Sequence, residues 1–274
     1  MAPYLIFTDL DGTLLDHDDY SFALSAKALA NINVYKIPLI LNSSKTLAEI
    51  TSIRTALNNS DPFIIENGAA LYIPRGVFSR FDQTLTKFTF SIAYEKIINI
   101  IHRLRKQHHY AFTGFYDLSN SDVRKITGLG ETAAARAKQR AGTEPILWKD
   151  DESRLSAFEK EIRRYGLKLV KGGRFYHVMG QNADKANAMR WLTRQYRNQY
   201  GIDFKTIALG DSDNDKTMLE QSDIAAVIRQ NEGTSLALNK RDSDVIYTLH
   251  QAPQGWQEAI DEIFERINIG QHDE

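Results

Sequence analysis

Near the N-terminus the sequence reads Tyr4-Leu5-Ile6-Phe7-Thr8-Asp9-Leu10-Asp11-Gly12-Thr13. The short apolar run that stops at Asp9 predicts a buried parallel strand that ends in a turn. In an extended chain residues i and i+2 point the same way, so the carboxylates of Asp9 and Asp11 can face one site beyond the strand. One carboxylate can attack phosphorus and the other can act as an acid or base. Alone, the pattern fits a calcium loop or a simple turn equally well.

A second acidic cluster, Gly210-Asp211-Ser212-Asp213-Asn214-Asp215, follows another short apolar run at residues 206–209. Three carboxylates within five residues repel one another unless a cation is present, and Mg²⁺ prefers such oxygen ligands. An EF-hand calcium loop counted from Asp211 would need Gly at position 6 and Glu at position 12. The sequence has Lys216 and Ser222 there, which excludes that alternative.

Short apolar runs also occur at residues 39–41, 63–65, 224–228 and 245–248, and helical patterns lie between several of them. Strands that alternate with helices predict an α/β fold with a Rossmann-like parallel sheet covered on both faces. The middle of the chain has its own helices and a hairpin pattern around Lys171-Gly172-Gly173. We therefore predict a catalytic core of residues 1–82 and 181–274 with an inserted α/β cap domain of residues 83–180.

Two further groups suit a phosphate ligand. Ser43 and Ser44 end one predicted strand and precede a helix, where backbone N–H groups and the helix dipole favour an anion. Lys45 stands beside them, and Lys185 begins another predicted helix. Each group on its own fits a helix cap or a solvated lysine. Their shared position at strand ends favours one phosphate site with charge neutralisation by lysine.

Together these residues resemble the four motifs of the haloacid dehalogenase superfamily of phosphatases, whose fold is a Rossmann-like core. The insert resembles the large α/β cap of the sugar-phosphatase branch. The resemblance is more specific to the mannosyl-3-phosphoglycerate phosphatase family, and it rests on four stretches: residues 42–46, 65–69, 143–145 and 173–178.

This resemblance implies that Asp9 is the nucleophile and a Mg²⁺ ligand, and that Asp11 is the acid/base. The backbone carbonyl of Asp11 is the implied metal contact of that residue. Asp211 and Asp215 complete the implied metal site, with Asp215 in contact directly or through water. The implied reaction is hydrolysis of mannosyl-3-phosphoglycerate to mannosylglycerate and phosphate through an aspartyl-phosphate.

The resemblance also implies two sets of ligand-binding residues. The implied phosphate-binding residues are Ser43, Ser44, Lys185 and Asn214. The implied substrate-binding residues of the cap and its loops are Lys45, Asn67, Arg140 and Arg174, and the two arginines suit the glycerate carboxylate because guanidinium forks bind carboxylates through two hydrogen bonds. A surface ion pair is an equally good interpretation of either arginine.

The sequence departs from the sugar-phosphatase pattern at two places. Ser43-Ser44-Lys45 replaces the usual Thr-Gly-Arg, which favours the mannosylglycerate branch. The segment before Thr143 lacks the aromatic residue expected in that branch, which leaves the sugar open. Glucosyl-3-phosphoglycerate, a hexose phosphate or a mutase reaction are the alternatives.

Composition limits the remaining function classes. The 274 residues carry a net charge of −1 and no cysteine, so we expect neither a nucleic-acid nor a membrane partner and no thiol chemistry. The apolar N-terminal run is interrupted at Asp9, so we expect no signal peptide and a cytoplasmic protein. A phosphorylatable signalling module would be shorter and would not need Asp11. The expected ligand is a small phosphorylated sugar-glycerate, and the pattern does not predict an oligomeric state.

Overall fold

The computed structural model describes residues 3–17, 19–172, 174–230 and 236–267. The chain forms two compact units. The first unit consists of residues 1–43, 76–80 and 189–274, and the second of residues 44–75 and 81–188. Residues 44–75 belong to the second unit although the predicted core includes them. Compactness does not by itself identify an insertion, so the cap boundaries at 83 and 180 stay a prediction.

The described residues form β-strands and α-helices that alternate along much of the chain. The strands are β1 (Tyr4–Thr8), β2 (Leu39–Asn42), β3 (Phe63–Ile65), β4 (Ala70–Pro74), β5 (Leu85–Thr89), β6 (Phe112–Gly114), β7 (Thr143–Trp148), β8 (Leu167–Lys171), β9 (Tyr176–Gly180), β10 (Lys205–Gly210), β11 (Ile224–Arg229) and β12 (Val245–Gln251). The helices are α1 (Ala26–Val34), α2 (Leu47–Ala56), α3 (Tyr94–His108), α4 (Asn120–Thr127), α5 (Glu131–Ala137), α6 (Glu152–Arg163), α7 (Lys185–Tyr200), α8 (Lys216–Gln221) and α9 (Gln254–Arg266).

The sheet of the first unit is parallel, in the order β12-β11-β10-β1-β2. At its centre Thr8 is in register with Leu41 on one side and Leu209 on the other. Because parallel strands carry their carboxyl ends at one edge, the residues after β1, β2 and β10 reach the same edge. Chain order reverses direction across the sheet at β1, which is where ligands bind in open α/β sheets.

The last helix of the first unit, α9, is attached to the first strand. The indole Nε1 of Trp256 donates a hydrogen bond to Thr8 Oγ1 at 3.0 Å, and both side chains are buried. The hydroxyl of Thr8 in turn donates to the carbonyl oxygen of Asp9 at 2.7 Å. A buried indole N–H needs an acceptor, and this pair satisfies it with no polar atom left unpaired.

The second unit contains two antiparallel groups of strands. β3, β4 and β5 pair in sequence, and the other four strands form a sheet in the order β6-β7-β9-β8. The apolar faces of α3 and α6 cover this four-stranded sheet, with Ile97, Ile101 and Phe158 in its core. The predicted hairpin is present as β8 and β9, with Val170 opposite His177.

The predicted fold class, α/β with a parallel-sheet core, is confirmed. The structure adds β5 and α4, which the sequence reading did not predict. Helix α5 ends at Ala137, and the segment that follows leads into β7. Across the described ranges no helix is long and apolar enough to cross a membrane.

Candidate active site

Three carboxylates lie together in the first unit. Oxygen atoms of Asp9, Asp211 and Asp215 are all within 4.8 Å of one another. Asp9 directly follows β1 and Asp211 directly follows the neighbouring strand β10. The backbone N–H of Asp9 donates to Leu209 O at 3.0 Å, which continues the strand pairing to the predicted nucleophile. The parallel sheet therefore brings together residues that are about 200 positions apart in the sequence.

Hydrogen bonds fix the orientation of Asp211. Its Oδ1 accepts from the hydroxyl of Thr13 at 2.9 Å, and its Oδ2 accepts from the Nε2 of Gln230 at 3.0 Å. Gly12 has φ +72°, and a Cβ at this position would lie 3.0 Å from Asp211 Oδ2. The turn after Asp9 therefore needs glycine both for its backbone angle and for the space it leaves to the carboxylate.

Asp215 is buried and is held by the backbone of its own loop. Its Oδ2 accepts from the N–H groups of Asp211 and Ser212, each at 3.2 Å. A Cβ on Gly210 would lie 2.5 Å from the Cβ of Asp215, so only glycine leaves room for this side chain at the end of β10. The loop thus presents Asp215 toward the other two carboxylates.

The three carboxylates fit a magnesium ion. Asp9 is 5% exposed and Asp215 is fully buried, so their mutual repulsion is poorly screened by water. A hard divalent cation bound by a few carboxylates, with water and substrate oxygens as further ligands, relieves that repulsion. The predicted metal ligands Asp9, Asp211 and Asp215 are therefore close enough to share one ion. The predicted contact through the Asp11 carbonyl stays a prediction.

Asp11 lies in a tight turn after Asp9. It forms an isolated bridge with Leu15, and the N–H groups of Thr13 and Leu15 both donate to Leu10 O, at 3.1 and 2.8 Å. This turn keeps Asp11 two residues beyond Asp9 at the same sheet edge, as its predicted acid/base role requires.

Two predicted phosphate-binding residues also belong to the first unit. Ser43 directly follows β2 and is completely buried. Asn214 lies in the loop between β10 and α8, where its Oδ1 accepts a hydrogen bond from the hydroxyl of Ser212. Both follow strands of the parallel sheet, in line with their predicted role, which stays a prediction.

The other predicted phosphate-binding residues belong to the second unit. Ser44 precedes α2, together with Lys45, a predicted substrate-binding residue, and the N-cap of this helix is Thr46 in a capping box with Glu49. Lys185 is the first residue of α7 and is only 2% exposed. The ammonium group of a lysine suits a residue that neutralises charge on phosphoryl oxygens.

The two arginines of the predicted cap differ in their surroundings. The Nη1 of Arg140 donates to the carbonyl oxygen of Ser44 at 2.9 Å. Arg174 is exposed. Asn67, another predicted substrate-binding residue, is 5% exposed and lies in the short 3₁₀ turn Glu66–Gly68. The structure therefore places Arg140 beside the serine segment, while the binding roles of all three residues stay predictions.

Comparison with known proteins identifies the family of this chain. Residues 6–237 match the family of haloacid dehalogenase-like hydrolases. The chain belongs to this family. Two relatives named "Glucosyl-3-phosphoglycerate/mannosyl-3-phosphoglycerate phosphatase" are similar over nearly the whole length. The protein of Methanococcoides burtonii is 37% identical over 97% of this chain and 98% of its own, and that of Persephonella marina is 35% identical over 97% and 99%.

Solved structures agree on the fold of this haloacid dehalogenase-like hydrolase. A Thermoplasma acidophilum protein superposes with a TM-score of 0.64 at 18% identity, covering 98% of this chain and 99% of its own. A sugar phosphatase described as subclass IIB of the superfamily superposes with a TM-score of 0.64 at 14% identity, covering 97% and 99%. The predicted family and the predicted enzyme class, a phosphoric monoester hydrolase, are confirmed.

The sequence reading of this hydrolase missed Glu66. Its carboxylate is completely buried and accepts hydrogen bonds from the backbone N–H groups of Ala141, Gly142 and Thr143 and from the hydroxyl of Thr143. The local sequence feature that could have indicated Glu66 is a charged residue between the apolar strand β3 and an Asn-Gly pair. Its partners are about 75 residues away, so the local pattern could not identify them.

The sequence reading also missed Glu144. This buried carboxylate accepts from Tyr94 Oη at 2.7 Å and from the N–H of Tyr116 at 2.9 Å. Burial raises the pKa of Glu144 to about 7, because desolvation opposes its ionisation more than the hydrogen bonds favour it. Nearby, burial and the charge of Arg140 lower the pKa of His177 to about 3, so this histidine is neutral at pH 7.

Proposed function

We propose that this hydrolase dephosphorylates mannosyl-3-phosphoglycerate, with Asp9 as the nucleophile. The observation that carries the proposal is the group of three carboxylates after β1 and β10, since an acidic Mg²⁺ site beside a strand-end aspartate suits phosphoryl transfer. The names of the relatives at 35–37% identity support a sugar-phosphoglycerate substrate. Because those names include both sugars, glucosyl-3-phosphoglycerate is the second candidate.

The proposed reaction has two steps. A carboxylate oxygen of Asp9 attacks phosphorus in line, the bond from phosphorus to the glycerate oxygen breaks, and Asp11 donates its proton to that oxygen. Asp11, now a carboxylate, removes a proton from water, and the water oxygen attacks the phosphorus of the aspartyl-phosphate. Phosphate leaves, and Asp9 and Asp11 return to their starting forms.

The remaining residues bind and neutralise charge in this proposal. Asp9, Asp211 and Asp215, with the carbonyl of Asp11, would hold Mg²⁺, which when bound lowers the cost of bringing a carboxylate to a phosphate dianion. Ser43, Ser44, Lys185 and Asn214 would bind the phosphoryl oxygens. Lys45, Asn67, Arg140 and Arg174 would bind the sugar-glycerate end.

Phosphate release measured with and without Mg²⁺ tests the proposal. The substrates are mannosyl-3-phosphoglycerate, glucosyl-3-phosphoglycerate and simple hexose phosphates, and D9N is the control. We expect a preference for the mannosyl compound that EDTA and D9N both abolish. A preference for hexose phosphates would retain Asp9 as the nucleophile and reject the substrate. Absence of Mg²⁺-dependent release from every compound would reject the proposed function.

The D11N variant separates the phosphatase from a signalling module, and product analysis separates it from a mutase. In a phosphatase D11N should abolish turnover, because no group remains to protonate the leaving oxygen or activate water. A signalling module would still accept a phosphoryl group on Asp9 at the normal rate. A mutase would return the phosphoryl group to a sugar, which product analysis by phosphorus NMR distinguishes from inorganic phosphate.

We further propose a cytoplasmic location, which the absence of cysteine supports.

A further inference from the structure

The turn Glu66–Gly68 connects three separate segments of the second unit. Its first contact is the buried carboxylate of Glu66. Oε1 accepts from Ala141 N at 2.8 Å, and Oε2 accepts from Gly142 N at 3.1 Å and from the N and Oγ1 of Thr143, each at 2.8 Å. Three consecutive N–H groups that converge on one carboxylate fix the backbone of residues 141–143, because hydrogen bonds to a charged acceptor are about twice as strong as neutral ones.

The second contact is with the segment that follows β2. The N–H of Glu66 donates to the carbonyl oxygen of Lys45 at 3.0 Å. Glu66 and Asn67 both have positive φ, 50° and 54°. Two consecutive non-glycine residues in this region are strained, and such strain persists only where the surroundings hold the backbone in place.

The third contact is with the segment that leads into α7. Gly68 packs so tightly on Asp184 that a Cβ would lie 2.3 Å from the carbonyl carbon and oxygen of Asp184. Asp184 directly precedes Lys185, and its Oδ1 accepts from the N–H groups of Ala186 and Asn187 at 2.8 and 3.2 Å. The turn therefore also sets the position of the first turn of α7.

Arg140 extends the connection. It directly precedes the three residues that Glu66 binds, and its Nη1 donates to Ser44 O at 2.9 Å. Any shift of residues 141–143 would move the backbone of Arg140 and strain this bond. The side chains that adjoin the three contacts, Lys45, Arg140 and Lys185, are three of the residues proposed to bind substrate.

We infer that Glu66 is a positioning residue for recognition of the substrate end that carries the carboxylate. This inference rests on the proposed function. Glu66 acts through the backbone of residues 141–143, which orients Arg140, and it uses its full hydrogen-bonding capacity within the protein. Gln cannot replace it, because an amide NH₂ would face N–H donors, and Asp is one methylene shorter.

The test compares E66Q with E144Q, a matched variant. Glu144 is also a buried glutamate, one residue beyond the segment, but it binds Tyr94 and Tyr116 instead. We expect E66Q to increase hydrogen–deuterium exchange of the amides of residues 141–143 by about tenfold or more, since the side chain loses its charge and one of its two acceptor oxygens. E144Q should leave those amides protected.

Kinetics with two substrates give the second readout. With E66Q we expect KM for mannosyl-3-phosphoglycerate to rise about tenfold or more. The kcat/KM for p-nitrophenyl phosphate, which has no glycerate carboxylate, should stay within about twofold because its hydrolysis does not need Arg140. Equal losses on both substrates would overturn the inference, since they would indicate a general structural role.

The exchange measurement does not depend on the substrate. If neither sugar-phosphoglycerate is hydrolysed while E66Q still loses amide protection, the proposed function fails and the positioning of residues 141–143 stands. Unchanged protection in E66Q overturns the inference whatever the substrate. If E66Q does not fold, amide exchange in T143V decides, because this variant removes one of the four hydrogen bonds to Glu66, and T143S is its control. T143V also removes the 3.4 Å hydrogen bond from Arg140 Nη1 to Thr143 Oγ1, so its kinetics alone do not decide. T143V should give smaller changes in the same direction, and no change would contradict the inference.

Discussion

At the scale of single residues, the hydroxyl of Thr13 orients a carboxylate of the proposed metal site. It donates to Asp211 Oδ1 at 2.9 Å and is completely buried. We expect T13V to weaken Mg²⁺ binding about 10- to 100-fold, because groups that orient metal ligands contribute at this level. The Mg²⁺ dependence of phosphate release measures the effect. T13S keeps the hydroxyl and should bind Mg²⁺ normally, and a T13V variant with unchanged Mg²⁺ affinity would contradict this role.

Gly68 and Gly76 form a second pair for comparison. Their φ angles are similar, +87° and +92°, but only Gly68 packs against backbone, whereas a Cβ on Gly76 would meet no atom within 4 Å. We expect G76A to lower the free energy of unfolding by about 1 kcal/mol through its backbone angle. G68A should cost at least about 2 kcal/mol more, because Asp184 must move. Urea denaturation of both variants measures the difference. Equal losses in the free energy of unfolding would show that Asp184 can move away from Gly68 at little cost.

The sequence predicted Asp9, Asp11 and Asp211 because a strand end and the i, i+2 spacing are local features. It could not predict Glu66, since a buried glutamate in a turn has the same local pattern as an exposed one. Its role depends on the three backbone N–H groups of residues 141–143 that donate hydrogen bonds to its carboxylate.

At the scale of elements, strand β7 carries a group that titrates near neutrality. The pKa of Glu144 is raised from 4.5 to about 7 in the folded protein, so the folded state binds the proton more tightly than the unfolded state. Its contribution to the free energy of unfolding therefore falls as pH rises from about 4.5 to about 7, by about 3 kcal/mol in total. E144Q removes this dependence.

We therefore expect the stability of E144Q relative to the natural sequence to increase with pH across that interval and to level off above it. Urea denaturation at several pH values measures the difference. The pKa of His177 is lowered to about 3 in the folded protein. The contribution of His177 to the free energy of unfolding therefore decreases as pH falls below about 6.5. Its contribution is common to both proteins and cancels. A difference that stays constant from pH 4.5 to 7 would show that Glu144 ionises normally.

The sequence predicted strands β1 and β10 but not strand β5. β1 and β10 are continuous apolar runs because both faces of a parallel sheet are covered, so they were predicted. β5 reads Leu85-Thr86-Lys87-Phe88-Thr89 and has no fully buried residue, and it pairs with β4. Without that partner its polar residues indicate a loop, and the strand was missed.

At the scale of the whole molecule, a buried hydrogen bond joins the two ends of the chain in the first unit. Trp256 donates to Thr8, and the pair lies next to the proposed nucleophile. In a double-mutant cycle of T8V, W256F and the double variant, we expect a coupling of about 1 kcal/mol in the free energy of unfolding. The cycle subtracts the loss of stability that W256F causes by leaving a cavity, because this loss is present with and without Thr8. Additive effects would show that the bond adds nothing to stability.

The overall fold was predictable because strand order follows from a few motifs that must meet at one sheet edge. The limits of the two compact units were not, since they depend on how residues 44–75 pack, and no break in composition marks residue 44.

The distance between Asp9 and Asp211 along the chain has a consequence for biosynthesis. During translation Asp9, the proposed nucleophile, leaves the ribosome about 200 residues before Asp211 and the end of β10, its pairing partner, and still earlier than α9, which supplies Trp256. Domains fold as units only once their pairing partners exist. A nascent chain that stops before β10 therefore exposes β1 and Asp9 without the strand that pairs with them, and it lacks the other two carboxylates of the proposed metal site.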